Sequence, residues 1–254
     1  MSQHAEEETR GFQKIYSRDG SSLLVDGWWD PKVILSILER SIGSNDQDFW
    51  RGKKVIDIGA NTCGLSVEIA RRGGNVVAIE PDIRATNRYQ RIVKDIEPEG
   101  LNIEVRNGVL EDVIRSQESC DVILFLGLLY HFKYPHFIIE SLASLSHRWL
   151  FLSTQCTDKT GLIQVNRLQE MPERMRATMK GMTGWHLSRD LLFQSLAEAG
   201  YNNIKEGSDP LIHFWNKPAN EKHITNTTYV CAERDSSDGG VKDIYGDMFK
   251  YYPR

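Results

Sequence analysis

Two acidic side chains frame the part of this sequence best suited to chemistry. Asp57 lies within Val55-Ile56-Asp57-Ile58-Gly59-Ala60-Asn61-Thr62-Cys63-Gly64, and Glu80 follows 21 residues after Gly59. An apolar run, a glycine turn and a helix-forming stretch make the unit in which backbone passes close to a nucleotide. A carboxylate at the end of the next strand can accept both hydroxyls of a ribose. Two cofactors share that geometry. A nicotinamide dinucleotide asks for G-x-G-x-x-G, and Asn61 replaces the middle glycine, which obstructs close approach of a pyrophosphate. Asp57, two residues before Gly59, repels a diphosphate and attracts an ammonium group. S-adenosylmethionine carries an ammonium and a ribose and no phosphate, so the electrostatic sign favours it over NAD. Asp57, Gly59, Ala60, Asn61, Gly64 and Glu80 are the expected cofactor residues.

Two further segments fall where the strands of such a fold end. Asn107-Gly108-Val109-Leu110-Glu111 is expected at the adenine, with Val109 and Leu110 flanking the ring and Asn107 or Glu111 meeting its amino group; an ordinary turn before a helix is the alternative. Leu126-Gly127-Leu128-Leu129-Tyr130-His131 is where cofactor and acceptor should meet, with Leu126 on the cofactor side. Methyl transfer from a sulfonium is an in-line displacement, so the protein must align the acceptor and, for a hydroxyl, remove its proton. His131 is the best-placed base, with a reference pKa of about 6.5; it could instead cap the helix that follows. Tyr130 is expected at the sulfonium face or the acceptor, or in the core. Trp28, Trp29, Trp185 and His186 are expected to shape the acceptor pocket. The fourth strand is not followed by an Asn/Asp-Pro-Pro-aromatic tetrapeptide, and the chain has no Pro-Cys nucleophile, which argues against the usual nucleobase N- and C5-methylation chemistries. Neither an H-E-x-x-H pair nor an acidic trio is present, so no metal is expected.

The elements that must position these groups follow from hydrophobic periodicity. A helix is expected over residues 28–40, with Asp30 as N-cap and Pro31 in its first turn. Strands are expected at 54–58, 75–80, 102–106, 121–126 and 149–154. Helices are expected at 65–72, stopped by Gly73-Gly74, at 85–96, at 135–146, and at 188–199 with Ser188 as N-cap. Two late strands, near 203–206 and 227–232, would add an antiparallel edge. Alternating apolar strands and helices indicate an α/β fold, a Rossmann-like mostly parallel sheet with helices on both faces. Residues 1–20 are read as a flexible segment, 21–234 as the domain, and 235–254 as a tail. Residues 157–186 are read as a lid, with Arg167, Arg174, Arg176 and Lys180 as acceptor contacts or as a solvated face balanced by Glu170 and Glu173.

Composition narrows the class further. The 254 residues carry 31 Lys+Arg against 35 Asp+Glu, a net charge of −4 that gives little counterion-release affinity for nucleic acid. The basic residues Arg84, Arg88, Arg91 and Lys94 read as a solvated helical face. Apolar runs such as Val122–Leu126 are far shorter than the roughly 20 residues of a membrane helix. The acidic start, Met1 to Glu8, has no apolar signal region, and Cys63, Cys120, Cys156 and Cys231 form no C-x-x-C pair, so a cytoplasmic protein with four buried thiols is expected.

With these residues in view the sequence resembles class I S-adenosylmethionine-dependent methyltransferases. Within them it is most similar to the tRNA wobble-uridine methyltransferase/carboxymethyltransferase group and to related small-molecule enzymes. The pieces carrying the likeness are Asp26-Gly27-Trp28-Trp29-Asp30, Val55 to Gly64, Gly127-Leu128-Leu129-Tyr130-His131 with Pro135, and Leu187 to Tyr201. The resemblance implies a seven-stranded sheet with one antiparallel strand, and cofactor contacts at Gly59, Glu80, Val109, Leu110, Leu126 and Tyr130. The tRNA enzymes carry a longer basic N-terminal region than residues 1–20 supply, Trp28-Trp29 replaces an expected Lys, and Thr227-Thr228 replaces an expected Arg. Plain methyl transfer to a small-molecule hydroxyl is therefore expected, with wobble-uridine modification or non-catalytic cofactor binding as the alternatives.

Overall fold

The first helix begins where its capping chemistry dictates. In the computed structural model, which describes residues 11–43, 47–83, 85–87, 89–90, 99–157, 159–165, 184–207 and 225–234, α1 spans Pro31–Ser41, and the Asp30 side chain accepts a hydrogen bond from the Lys32 N–H. Pro31 has no N–H to satisfy, so the helix starts there and not at Trp28. Trp28 and Trp29 belong instead to a short strand. Four such strands form the N-terminal region: β1 (Gly11–Gln13), β2 (Ile15–Tyr16), β3 (Leu23–Val25) and β4 (Gly27–Trp29). β1 pairs in parallel with β4, and β2 pairs antiparallel with β3. Residues 11–16 are therefore more ordered than a frayed segment.

The remaining elements are β5 (Lys54–Ile58), α2 (Gly64–Arg71), β6 (Asn75–Ile79), β7 (Ile103–Arg106), α3 (Leu110–Ser116), β8 (Val122–Leu126), α4 (Pro135–Ala143), β9 (Trp149–Thr157), β10 (Leu162–Val165), β11 (Gly184–Leu187), α5 (Arg189–Glu198), β12 (Asn203–Gly207) and β13 (Thr225–Glu233). Single 3-10 turns occupy Gln47–Trp50 and Leu129–His131. Residues 85–87 and 89–90 are helical; the rest of the helix expected to 96 lies outside the described residues.

Seven strands form one sheet in the order β12-β13-β9-β8-β5-β6-β7. β5 pairs in parallel with β6 and with β8, and β6 with β7. The seven-stranded α/β expectation is met, with one refinement. The antiparallel strand β13 pairs with both β12 and β9, so it lies one place in from the edge. Consecutive residues Val55 to Ile58 and Val122 to Phe125 are all buried, as they must be in strands covered on both faces.

Two compact units share the chain. The first comprises Met1–Arg115 with Cys120–Phe125, the second Ser116–Ser119 with Leu126–Arg254. In the first, Ile15, Val25, Ala60, Cys63, Val67, Ala78 and Tyr89 form one apolar cluster. α2 ends in a Schellman turn, with the Gly74 N–H donating to the Ile69 carbonyl and the Gly73 N–H to that of Ala70, as the Gly73-Gly74 pair predicts. In the second unit, the Ser188 hydroxyl accepts the Leu191 N–H at the start of α5, and Gly200 (φ 94°) ends it. His147 is half-buried there, bonded to the Tyr201 hydroxyl and the Leu145 carbonyl at 2.8 Å each. Burial pushes its pKa down to about 4. Cys63, Cys156 and Cys231 are buried and Cys120 is half-buried, and none of the four is in a disulfide.

Gly27 is set by packing. A Cβ there would stand 2.5 Å from the Gln13 carbonyl carbon, which no rotamer can relieve. Gly27→Ala should lower stability by about 1–3 kcal/mol, read from urea unfolding midpoints; an unchanged midpoint would show that β1 does not hold this approach.

Candidate active site

In the first unit, the site grows from the ends of β5 and β6, beside the point where β5 is flanked by β6 on one side and β8 on the other. That reversal is where ligands bind in open α/β sheets. The Gly59 and Ala60 N–H groups both donate to the Ile79 carbonyl, at 2.8 and 3.1 Å, which fastens the turn to β6. The turn then takes left-handed conformations at Gly59 (φ 75°), Asn61 (φ 50°) and Cys63 (φ 62°).

Asp57 and Glu80 are both nearly inaccessible, at 3% and 6% exposure. The Ser66 hydroxyl donates to Asp57 Oδ2 at 2.6 Å. Glu80 accepts two backbone N–H bonds at 2.8 Å, from Asn61 on Oε2 and from Asp82 on Oε1. Burial pushes the Asp57 pKa up to about 6, opposed by the Ser66 bond and assisted by the nearby charge of Glu80. Burial also raises the Glu80 pKa against the pull of its two backbone donors. Among the described residues neither carboxylate has a salt-bridge partner. Asn61 Oδ1 is also buried without a hydrogen-bond partner among those residues. Two desolvated carboxylates and a spare amide oxygen make an acceptor-only site, suited to a ligand bringing a cation and hydroxyl donors.

The N-terminus of α2, the natural seat for a phosphate, is taken by the protein itself. Gln13 Oε1 accepts the Leu65 N–H at 2.7 Å. Gly64, expected as a cofactor residue, is required by the Lys14 carbonyl, which lies where its Cβ would be. Gln13 was not legible as a site residue, because its contact with Leu65 spans 52 positions.

At the third strand end, Val109 is 42% exposed and Leu110 is buried at 4%, so of the two only Val109 has surface to offer a ring. Asn107 Nδ2 is committed to the Glu80 and Pro81 carbonyls. The Val109 N–H donates to Asp112. Trp29 is half-buried on β4, and its carbonyl accepts the Lys14 N–H.

The second unit brings together another part of the expected set. Gly127 (φ 71°) follows the half-buried Leu126 and donates its N–H to both the carbonyl and the hydroxyl of Ser153 at 2.9 Å. This fixes the exit from β8 and the 3-10 turn carrying Tyr130 and His131. The Tyr130 ring lies 4.2 Å from that of His131 and 6.0 Å from that of His186, the latter edge-on. His186 is fully buried on β11. Beside it Trp185 keeps its Nε1 buried with no hydrogen-bond partner among the described residues. Tyr229 on β13, opposite Ser153, was not anticipated; burial and then the neighbouring Tyr130 hydroxyl raise its pKa. Only the apolar run Tyr229-Val230-Cys231-Ala232 marked that strand. His136 does not join this group: its Nδ1 pairs with the Ser195 hydroxyl at 2.8 Å. Tyr134 faces outward at 65% exposure. The lid residues Arg167, Arg174, Arg176 and Lys180, and the basic residues Arg84, Arg88, Arg91 and Lys94, lie outside the described residues, as does the side chain of Trp28. Among the described residues no cluster of His, Cys, Asp and Glu could hold a metal ion, and no helix is long and apolar enough to cross a membrane.

The doubly wound sheet with acidic groups at its first two strand ends defines the class: a Rossmann-like nucleoside-binding fold. A family model described as a methyltransferase domain matches residues 35–206. The chain belongs to that family of methyltransferase domains. It is 31% identical over 129 residues to the ubiquinone biosynthesis O-methyltransferase of Actinobacillus pleuropneumoniae serotype 5b, covering 46% of this chain and 54% of that protein. To the enzyme of the same name from Leptothrix cholodnii it is 27% identical over 147 residues, covering 52% and 60%. The chain thus spans about half the length of the curated relatives it matches. Among solved structures, the N-terminal domain of EvdMO1 with SAH bound aligns at a TM-score of 0.64 and 17% identity, over 91% of this chain and 94% of that one. Magnesium protoporphyrin IX methyltransferase (ChlM) from Synechocystis PCC 6803 with bound SAM aligns at 0.52 and 15%, over 80% and 79%. At these identities the likeness is one of fold.

The Asp57 shift fixes the sign of two pH effects. A carboxyl whose pKa rises from 3.8 to about 6 on folding adds stability below pH 4 and loses it as pH climbs through 6. Asp57→Asn should therefore match the wild type at pH 4 and exceed it at pH 7.5 by about 3 kcal/mol without ligand. An ammonium ligand favours the ionised form, so SAH affinity should rise between pH 5 and 7 in the wild type and stay flat in Asp57→Asn. Calorimetry across that range checks both, and a flat wild-type profile would remove Asp57 as the ammonium partner.

Proposed function

We propose that this protein transfers the methyl group of S-adenosylmethionine to a hydroxyl oxygen of a small organic acceptor. The observation that carries this reading is Tyr130 in ring contact with two imidazoles, His131 and His186. The names of the curated relatives, both O-methyltransferases, support it. S-adenosylmethionine supplies an electrophilic methyl group on a sulfonium. Asp57 would take its ammonium and Glu80 its ribose hydroxyls, with Asn61 Oδ1 as a further acceptor, Gly59 and Ala60 shaping the turn, and Val109 against the adenine.

On the acceptor side, His131 is the half-buried imidazole at the end of its turn, and it would take the proton of the acceptor hydroxyl. Tyr130 fixes that ring by direct contact and can donate its hydroxyl to the acceptor. His186, buried behind Tyr130, limits where the Tyr130 ring can go. Trp185 offers an apolar face with an indole N–H available to an acceptor oxygen. A neutral imidazole within reach of a hydroxyl raises its nucleophilicity without a metal.

His131→Ala should lower kcat by about 10²–10⁴-fold while SAH affinity stays within twofold. The assay is methyl transfer to a panel of phenolic and aliphatic hydroxyl compounds, with bulk tRNA as a parallel acceptor. Full turnover by the variant would remove His131 as base; methylation of tRNA alone would overturn the small-molecule reading.

A further inference from the structure

We propose that Gln13 is a positioning residue for the cofactor turn, holding residues 59–65 from the N-terminal strap and thereby setting the affinity for S-adenosylmethionine. The inference rests on the reading that this turn holds the cofactor. The turn carries two non-glycine residues, Asn61 and Cys63, in left-handed conformations. Such conformations persist only where the surroundings hold them. Local bonds supply only part of the hold: the Cys63 N–H donates to the Ala60 carbonyl at 2.8 Å, but Cys63, at the N-cap of α2, makes no side-chain capping bond.

Gln13 supplies it from β1. Its N–H donates to Thr62 Oγ1 at 3.1 Å, its carbonyl accepts the Thr62 hydroxyl proton at 2.9 Å, and its Oε1 accepts the Leu65 N–H at 2.7 Å. Gln13 is 8% exposed and Thr62 fully buried, so water does not replace these bonds. The turn is thus clamped on both sides. Glu80 holds the Asn61 N–H, and Gln13 holds Thr62 and the first turn of α2. Gly64 and Gly27 are bare because the Gln13–Lys14 backbone passes against both.

The strap has anchors that do not depend on the Gln13 side chain. Ile15 is buried in the same apolar cluster as Ala60 and Cys63. The Tyr16 carbonyl accepts from Arg71 Nη2 at 2.9 Å, and the Tyr16 hydroxyl donates to Asp30 at 2.7 Å. Removing Oε1 alone should leave the strap in place and free the turn.

The test compares Gln13→Met, which keeps the length and loses the acceptor, with Gln13→Glu, which keeps an oxygen at the helix N-terminus where negative charge is favoured. Gln13→Met should bind SAH about tenfold more weakly and raise the KM for S-adenosylmethionine equally, with kcat at saturation within about twofold. Gln13→Glu should restore both. Thr62→Val against Thr62→Ser probes the same clamp and decides the matter should Gln13→Met fail to fold. Wild-type SAH affinity in Gln13→Met, or equal losses in the Met and Glu variants, would overturn the proposal. A wild-type protein that binds no SAH would instead overturn the assignment of the turn.

Discussion

Taking a carboxylate out of water without a cation costs free energy, and this fold does it twice within one site. Asp57 and Glu80 are almost fully removed from solvent, held by one hydroxyl and two backbone N–H groups. Those donors offset only part of the desolvation, and both pKa values rise. An arrangement that is unfavourable in the free protein becomes favourable when a ligand brings an ammonium and a ribose diol. The parallel strands, the left-handed turn and the capped start of α2 all serve to keep those two side chains at adjacent strand ends.

The same constraint separates this site from a dinucleotide site. A pyrophosphate needs a glycine where Asn61 stands and free amides at the helix N-terminus. Here the Leu65 amide is bonded to Gln13, and a carboxylate lies two residues before the turn. The chain fills the anion seat with its own amide oxygen.

Much of this was legible because it is local. The continuous apolar run Val55-Ile56-Asp57-Ile58 announced a strand covered on both faces, and the acid within it stood out for that reason. Asp30-Pro31, Gly73-Gly74, Ser188 and Gly200 marked helix ends through chemistry confined to a few residues. What was not legible depends on distant pairing. Gly11–Gln13 looked like part of a polar tail because its partner strand is Gly27–Trp29 and its capping target is Leu65. The aromatic pair Trp28-Trp29 read as helical until the close approach of Gln13 to Gly27 made it a strand. The place of β13 inside the sheet follows from ladders on both of its sides, of which its own residues show only the buried run. At the site, Leu110 and Gly64 were named from their spacing, and burial of the one and the Lys14 carbonyl against the other give them structural work. Tyr229 comes near Tyr130 through the pairing of β13 with β9.

The most direct measurement is a crystal structure of the protein soaked with S-adenosylhomocysteine. The account predicts the amino group against Asp57, both ribose hydroxyls on Glu80, and Gln13 still bonded to the Leu65 N–H. Density for the nucleoside elsewhere, or a crevice at Asp57 and Glu80 closed by the protein's own side chains, would contradict it.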